Sequence, residues 1–522
     1  MRVVSIRDDG KPDSLCVGRT PLCIEDVIGV AAGRIRVALD PDPGYRAQLD
    51  RGVAAVERAL DEGRAIYGVS TGVGASVDNA IPDRLRDLLP LNVVRFHGCG
   101  TGRILTEDES AAVVAVRLAS LARGYSGVRS LLLERLCDFL NLRLLPRIPE
   151  EGSVGASGDL TPLSYLAAAL LGEREVSLRG EVISAADGHA RVGLQPLALR
   201  ARESLAIMNG TSVMAALGCL GFTRALRLAR WASALTAISC DTMRGNPGHF
   251  DARIFALKPH PGTQRCAAWI RADLSRAAGA GAAEPARLQD RYSLRCAPHV
   301  IGVLLDGLDF SRSMLEIELN GVNDNPLVDP DSGDILHGGN FYGGHLCFAL
   351  DGLKTAVANV ADLLDRQLCL LCDPATSGGL PANLVAAPEG ASVAHHGFKA
   401  MQITASALTA EALKLTMPAS AFSRSTESHN QDKVSMGMIA ARDCLRVLEL
   451  SETVAAVHTL ALCQAVDLRE GDADSLRSGA MRDAVRKAVP MNVADRRQDG
   501  DIAQVLALYK AGELPTGALD PK

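Results

Sequence analysis

The chain has 522 residues, more than the roughly 250–300 that one hydrophobic core supports, so at least two packed regions are expected. Apolar residues make up 47% and charged residues 22%, the balance of a globular protein, and a net charge of −6 without any Lys/Arg cluster among aromatics argues against a nucleic-acid partner. Met1 to Leu15 alternates charges without the apolar centre of a signal peptide, and no run of ~18 uninterrupted apolar residues occurs, so the expectation is a cytoplasmic protein with no membrane partner.

Taken from the N-terminus, residues 1–200 read as a loop-rich, mostly helical domain. Helical periodicity runs over about 46–63, 108–124 and 129–140, broken by glycine-rich loops. One loop is Tyr67-Gly-Val-Ser-Thr-Gly-Val-Gly74, and another, Val94-Arg-Phe-His-Gly-Cys-Gly-Thr-Gly102, carries Phe96 and His97. An isolated histidine is ordinarily a core residue, and a tyrosine between glycines a surface one.

The most informative stretch is Gly152-Ser-Val-Gly-Ala-Ser-Gly-Asp-Leu-Thr-Pro-Leu-Ser-Tyr-Leu-Ala167. Three glycines around Ala156-Ser157 allow bends that other residues resist, and Asp159 with Thr161-Pro162 reads as the start of a helix over Leu163 to Leu171. On local pattern this is a glycine-rich loop capping a helix, open to an anion. It lacks the Lys-Ser/Thr ending of a phosphate-binding loop. Glu175 to Ile183 then looks strand-like, with a turn at Arg179-Gly180.

From 201 to 522 the pattern changes to long helices, over about 211–240, 299–319, 395–416 and 433–466, with a leucine seam from Leu346 to Leu371 in three- and four-residue steps. The fold class expected is therefore mainly α, an elongated helical bundle joined to the N-terminal domain. Leu205-Ala-Ile-Met-Asn209-Gly-Thr211 reads as a turn opening a long helix, with Asn209 and Thr211 as caps. The Ala/Gly-rich stretch at 277–286 reads as a mobile surface loop, and the tail from Gly512 as frayed. Gln289-Asp-Arg-Tyr292-Ser-Leu-Arg295, Asn323-Asp-Asn-Pro-Leu327, Gly338-Gly-Asn340-Phe341-Tyr342-Gly343 and His429-Asn-Gln431-Asp432 punctuate the helices. Thirteen cysteines, an odd number in apolar contexts, fit reduced buried thiols, and Cys369 to Cys372 lies within a helical pattern without partners for a metal.

Gly-Ala156-Ser157-Gly158-Asp-Leu-Thr-Pro-Leu resembles the signature of the histidine, phenylalanine and tyrosine ammonia-lyases and related aminomutases, and the other segments match that family in its chain order. The resemblance implies that Ala156, Ser157 and Gly158 cyclise to 4-methylidene-imidazol-5-one (MIO), with no metal or diffusible cofactor. Such an electrophile answers a chemical need, because the proton beside an aromatic ring is too weakly acidic for an ordinary side-chain base and an amine leaves poorly. By the same resemblance Tyr67 is the base on a lid loop and Asn209 bonds the prosthetic group and the amino acid. Arg295 is the planar fork for the substrate carboxylate. Gln289 and Tyr292 surround the electrophile, and Asn340 and Phe341 border the pocket. Ser70 and Val73 depart from the family pattern at the lid. Relatives are homotetramers whose active sites combine several subunits, which places Tyr67 and Arg295 beside an electrophile on another copy.

Two positions bear on the substrate. Phe96-His97 falls where relatives surround the substrate ring, and an imidazole there suits a phenol or an imidazole better than a bare phenyl ring. Histidine lyases carry a glutamate where this chain has Gln431. L-tyrosine, giving trans-4-coumarate, is the resulting expectation. Phenylalanine or histidine as substrate, and the 2,3-aminomutase outcome, remain alternatives. Against a catalytically silent, ligand-binding relative stand the intact Ala156-Ser157-Gly158, Tyr67, Asn209 and Arg295, and an unrelated fumarase-like lyase would leave the other matching segments unexplained.

Overall fold

The computed structural model describes residues 13–274, 287–388, 390–469 and 479–516. The Ala/Gly-rich stretch at 277–286 and the tail beyond residue 516 lie outside the described residues. The fold is mainly α, with a few short strands in small two- and three-stranded sheets among the described residues.

The periodicities of the sequence become helices Pro43–Asp61, Glu107–Leu121, Ser130–Leu142, Ser212–Thr242, Ala297–Asn320, Gly344–Cys372, Lys399–Lys414 and Gly437–Leu468. All eight apolar residues of the 346–371 seam are at most 1% exposed, each contributing on the order of 1.5–3 kcal/mol of burial. Helix Ser212–Thr242 is long and apolar enough to cross a membrane, but 72% of its most apolar window is buried inside the protein, as in a core helix. The segment at 175–183 is a hairpin, Glu175–Leu178 with Glu181–Ser184, whose turn residues Arg179 and Gly180 both have positive φ (54° and 88°).

Two compact units are each assembled from three stretches of chain: Met1–Gly221, Ser311–Asp351 and Pro418–Arg442 in the first, Phe222–Phe310, Gly352–Met417 and Asp443–Lys522 in the second. The first opens with a parallel strand pair, Asp13–Val17 and Ile35–Leu39, joined through helix Ile24–Ala31. A cluster of Ala55, Val56, Ala59, Ile66, Val69 and Val328 forms beside helix Pro43–Asp61. Two buried acid–base contacts fix the approach to helix Glu203–Met208: Arg202 pairs with Asp324, and Glu203 accepts from the Arg129 guanidinium at 2.6 and 2.8 Å. Breaking either would strand a buried charge, a cost of about 3–5 kcal/mol.

Within the second unit the helices carry paired polar groups. The buried Trp231 donates from Nε1 to Thr459 Oγ1 at 3.0 Å and stacks on Tyr509 with centroids 4.3 Å apart. Gln367 donates from Nε2 to Thr236 Oγ1 and Ser293 O, at 3.0 and 2.8 Å. Each contact satisfies a polar atom that would otherwise be stranded among leucines.

Candidate active site

Half of the glycine-rich loop at 152–159 has positive φ. Gly152, Gly155 and Gly158 have φ of 118°, 77° and 75°, and Ser157 between them has φ 53°, which costs a side-chain-bearing residue about 1–2 kcal/mol. Tertiary contacts hold it there. The Met436 amide donates to Val154 O at 2.9 Å, and the Asp159 amide donates to Gly210 O at 2.8 Å. A Cβ built on Gly158 would stand 2.3 Å from Gly210 O and 2.8 Å from Gly210 N, so only glycine fits against this second backbone.

Asp159 behaves differently from its expected role. It precedes helix Leu160–Leu170 but makes no side-chain cap on it. Its Oδ2 instead accepts from the amides of Val213 and Met214, at 3.0 and 2.9 Å, and so caps the later helix Ser212–Thr242. Asn209 and Thr211 are thereby released from the capping expected of them: Thr211 Oγ1 donates to Glu318, and Asn209 Nδ2 donates to Asn325 O at 3.3 Å. Burial raises the Asp159 carboxyl to about 7 despite those amides, and burial also raises Glu318.

A cavity of about 300 Å³ opens on the loop. It brings together Tyr67, Ala156, Ser157, Asn209, Phe341 and Gln431 of the expected residues, and adds Asn325, Tyr342, Asn430 and Lys433. Gln431 donates from Nε2 to Ser157 Oγ at 3.2 Å. Asn209 Oδ1 is buried without a partner among the described residues. Tyr67 is pinned by its buried neighbours Ile66 and Val69, and its phenolic oxygen accepts from the Gly74 amide at 2.7 Å. Burial raises the phenol above its ordinary value, the Gly74 amide opposes that shift, and the Glu427 carboxylate adds to it.

Glu427 is a residue that sequence reasoning missed. It begins a run of three left-handed residues, Glu427, Ser428 and His429, closed by reciprocal Thr426–Gln431 backbone bonds. Its carboxylate accepts from the Ala75 amide at 2.9 and 3.0 Å, tying the Gln431 turn to the Tyr67 loop. The only available hint was its place in Thr-Glu-Ser-His-Asn-Gln.

Other expected residues lie elsewhere. Phe96 is 58% exposed, and the His97 ring packs on it at 4.1 Å with Nδ1 2.8 Å from Val93 O. A carbonyl only accepts, so Nδ1 carries the proton; burial lowers the ring's pKa, keeping it neutral with Nε2 free to accept. Asn340 is exposed and donates to Val322 O at 3.4 Å. Gln289, Tyr292 and Arg295 belong to the second unit: Tyr292 is 71% exposed, and Arg295 stacks over it at 4.6 Å while its Nε donates to Asp290 O at 2.9 Å. Among the described residues no group of three or more His, Cys, Asp or Glu stands together as a metal site.

Fold and cavity together define a helical enzyme whose site centres on a strained Ala-Ser-Gly turn. The model of the aromatic amino acid lyases matches residues 22–488. A histidine ammonia-lyase of Koribacter versatilis is 39% identical over 513 residues, covering 95% of this chain and 98% of the relative, and one of Aromatoleum aromaticum is 38% identical over 501 residues, covering 96% and 94%. Among solved structures, the tyrosine aminomutase of Streptomyces globisporus superposes with a TM-score of 0.88 at 37% identity, covering 97% of this chain and 98% of that one. The histidine ammonia-lyase of Trypanosoma cruzi gives 0.84 at 30%, covering 96% and 94%. The chain belongs to the aromatic amino acid lyase family and is a carbon–nitrogen lyase.

Proposed function

We propose that this enzyme eliminates ammonia from L-tyrosine to give trans-4-coumarate, using an MIO group formed from Ala156, Ser157 and Gly158. The observation that carries the reading is the left-handed Ser157 set between left-handed glycines, with Gly158 pressed on the backbone of Gly210. The residues fit the group. Gly158 has no side chain to block closure, the Ser157 hydroxyl that must leave is already held by Gln431, and Asn209 presents a buried acceptor with no other use.

When formed, the group supplies an electrophilic methylene that acid–base side chains cannot replace. The chain's own residues do the rest. Asn209 Oδ1 accepts from the substrate's amino group, Tyr67 removes the β-proton, and Phe341 covers the substrate ring. The Gly74 amide stabilises the phenolate of Tyr67. The neutral Gln431 suits an uncharged ring better than a cationic one, and His97, which does not line the cavity of a single chain, is a neutral imidazole able to accept from a phenolic hydroxyl brought to it. Arg295 binds the carboxylate, with Tyr292, Gln289 and Asn340 beside it, from another copy in a homotetramer with shared sites. The exposure of Tyr292 supports that arrangement.

A second reading, elimination from histidine, is favoured by the names of the sequence relatives. Incubation with tyrosine, phenylalanine and histidine in parallel, following the ultraviolet bands of the three unsaturated acids, decides between them. Coumarate as the main product is the expected result. Urocanate alone would overturn the tyrosine reading, and β-tyrosine as the main product would make the enzyme an aminomutase.

A further inference from the structure

Arg117 sits at the centre of the first unit on helix Glu107–Leu121, fully buried. Among the described residues it has no carboxylate within ion-pair distance. Its Nη2 donates to Ala206 O at 2.7 Å and to Asn323 O at 3.0 Å, and its Nη1 donates to Asn323 O at 3.0 Å. Ser120, one turn along the same helix, accepts from the Asn323 amide at 2.9 Å. Burial lowers the guanidinium to about 10, still charged at neutral pH. Burying a charge is costly. Asp324 and Asp159 offset part of that cost electrostatically, but the direct hydrogen bonds of Arg117 go to carbonyls, and an apolar side chain would fill the volume more cheaply.

What the guanidinium touches explains its presence. Ala206 lies in the last turn of helix Glu203–Met208, where carbonyls lack intrahelical donors and a cation is favoured. Just beyond the end of that helix the chain reaches Gly210, and a Cβ built there would fall 1.9 Å from Arg117 Nη1 and 2.8 Å from Asn323 O. On its other side Gly210 meets Gly158, whose own built Cβ would fall 2.3 Å from Gly210 O. Guanidinium, Gly210 and Gly158 therefore form a stack with no room for one additional carbon at either glycine.

We propose that Arg117 is a positioning residue for ring closure, the wall that keeps Gly210 pressed on Gly158 while the 156–158 turn reacts. The inference rests on the MIO reading above. In that reaction the Gly158 nitrogen bonds to the Ala156 carbonyl carbon. The Ala156 oxygen leaves as water with the amide hydrogens of Ser157 and Gly158, and the Ser157 hydroxyl leaves as a second water with its α-hydrogen. No oxidant or reductant is needed. Without Arg117, Ala206 O and Asn323 O lose their donors, the 209–211 turn relaxes, and the Gly158 nitrogen retreats from the Ala156 carbon.

The test is the intact mass of denatured full-length wild type, Arg117→Met and Arg117→Lys, sampled over time after induction. Only the soluble fraction with wild-type circular dichroism is measured. Wild type is expected to lose the mass of two waters. Folded Arg117→Met should do so about 10- to 100-fold more slowly, the scale on which displacing a reacting group by about 1 Å acts. Arg117→Lys, which keeps the charge but gathers its donors on one nitrogen, should fall between. Loss of both waters at the wild-type rate in folded Arg117→Met overturns the proposal. If that variant does not fold, Arg117→Lys decides by the same criterion. Wild type at its full sequence mass would bring down the MIO reading itself, whatever the variants do.

Discussion

Gly158→Ala tests the close packing at the centre of the site, and its cost can be worked from geometry. The new methyl carbon would meet three backbone atoms of Gly210 at 2.3, 2.5 and 2.8 Å, all nearer than real contacts allow. Backbone cannot swing aside as a flexible side chain does, so the strain is of the overpacking kind, about 1–3 kcal/mol. The φ of 75° adds about 1–2 kcal/mol for any residue with a Cβ. Gly180 separates the two contributions, because its φ is 88° while a Cβ there would meet nothing within 4 Å. Denaturant unfolding should therefore show Gly180→Ala losing about 1–2 kcal/mol and Gly158→Ala about 2–5 kcal/mol. Intact mass should show ring formation blocked only in Gly158→Ala. Equal losses of stability in the two variants, or a Gly158→Ala chain that cyclises fully, would refute the reasoning.

Three further outcomes follow from the charges around the cavity. Asp159 is raised in the folded state to about 7, so the fold holds its proton more tightly than the unfolded chain, and this carboxyl favours folding below about pH 4 and progressively loses that benefit as pH rises through 7. Wild type should accordingly gain stability relative to Asp159→Asn on going from pH 8 to pH 5 in thermal melts; a pH-independent difference contradicts this. Glu427→Gln removes a charge that holds the Tyr67 phenol up while keeping an acceptor for the Ala75 amide, so the pH at half-maximal turnover should move down. An unmoved pH–rate profile would exclude Glu427 from the electrostatics of Tyr67. Gln431→Glu places an acid against Ser157 and the substrate ring, and the ratio of histidine to tyrosine turnover should rise about tenfold or more, a discrimination of order 1.4 kcal/mol; an unchanged ratio would remove Gln431 from specificity.

Amino-acid order alone established the long helices, since the leucine seam at 346–371 buries as its periodicity required, and it marked the bend at 152–158, since three glycines around Ala156-Ser157 permit the left-handed backbone found there. It also carried the hairpin at 175–184, whose turn chemistry is local. Tertiary structure decided what depends on partners distant in the chain. Asp159 caps a helix more than fifty residues later instead of its own, and Asn209 keeps a buried oxygen without a partner among the described residues. Glu427 found the Ala75 amide, Arg117 found carbonyls at 206 and 323, and each compact unit gathers three separate stretches of chain that no local pattern assigns to it. Periodicity and turn propensity report interactions within a few residues, whereas these contacts exist only once packing has brought separate loops and helix ends into hydrogen-bonding range.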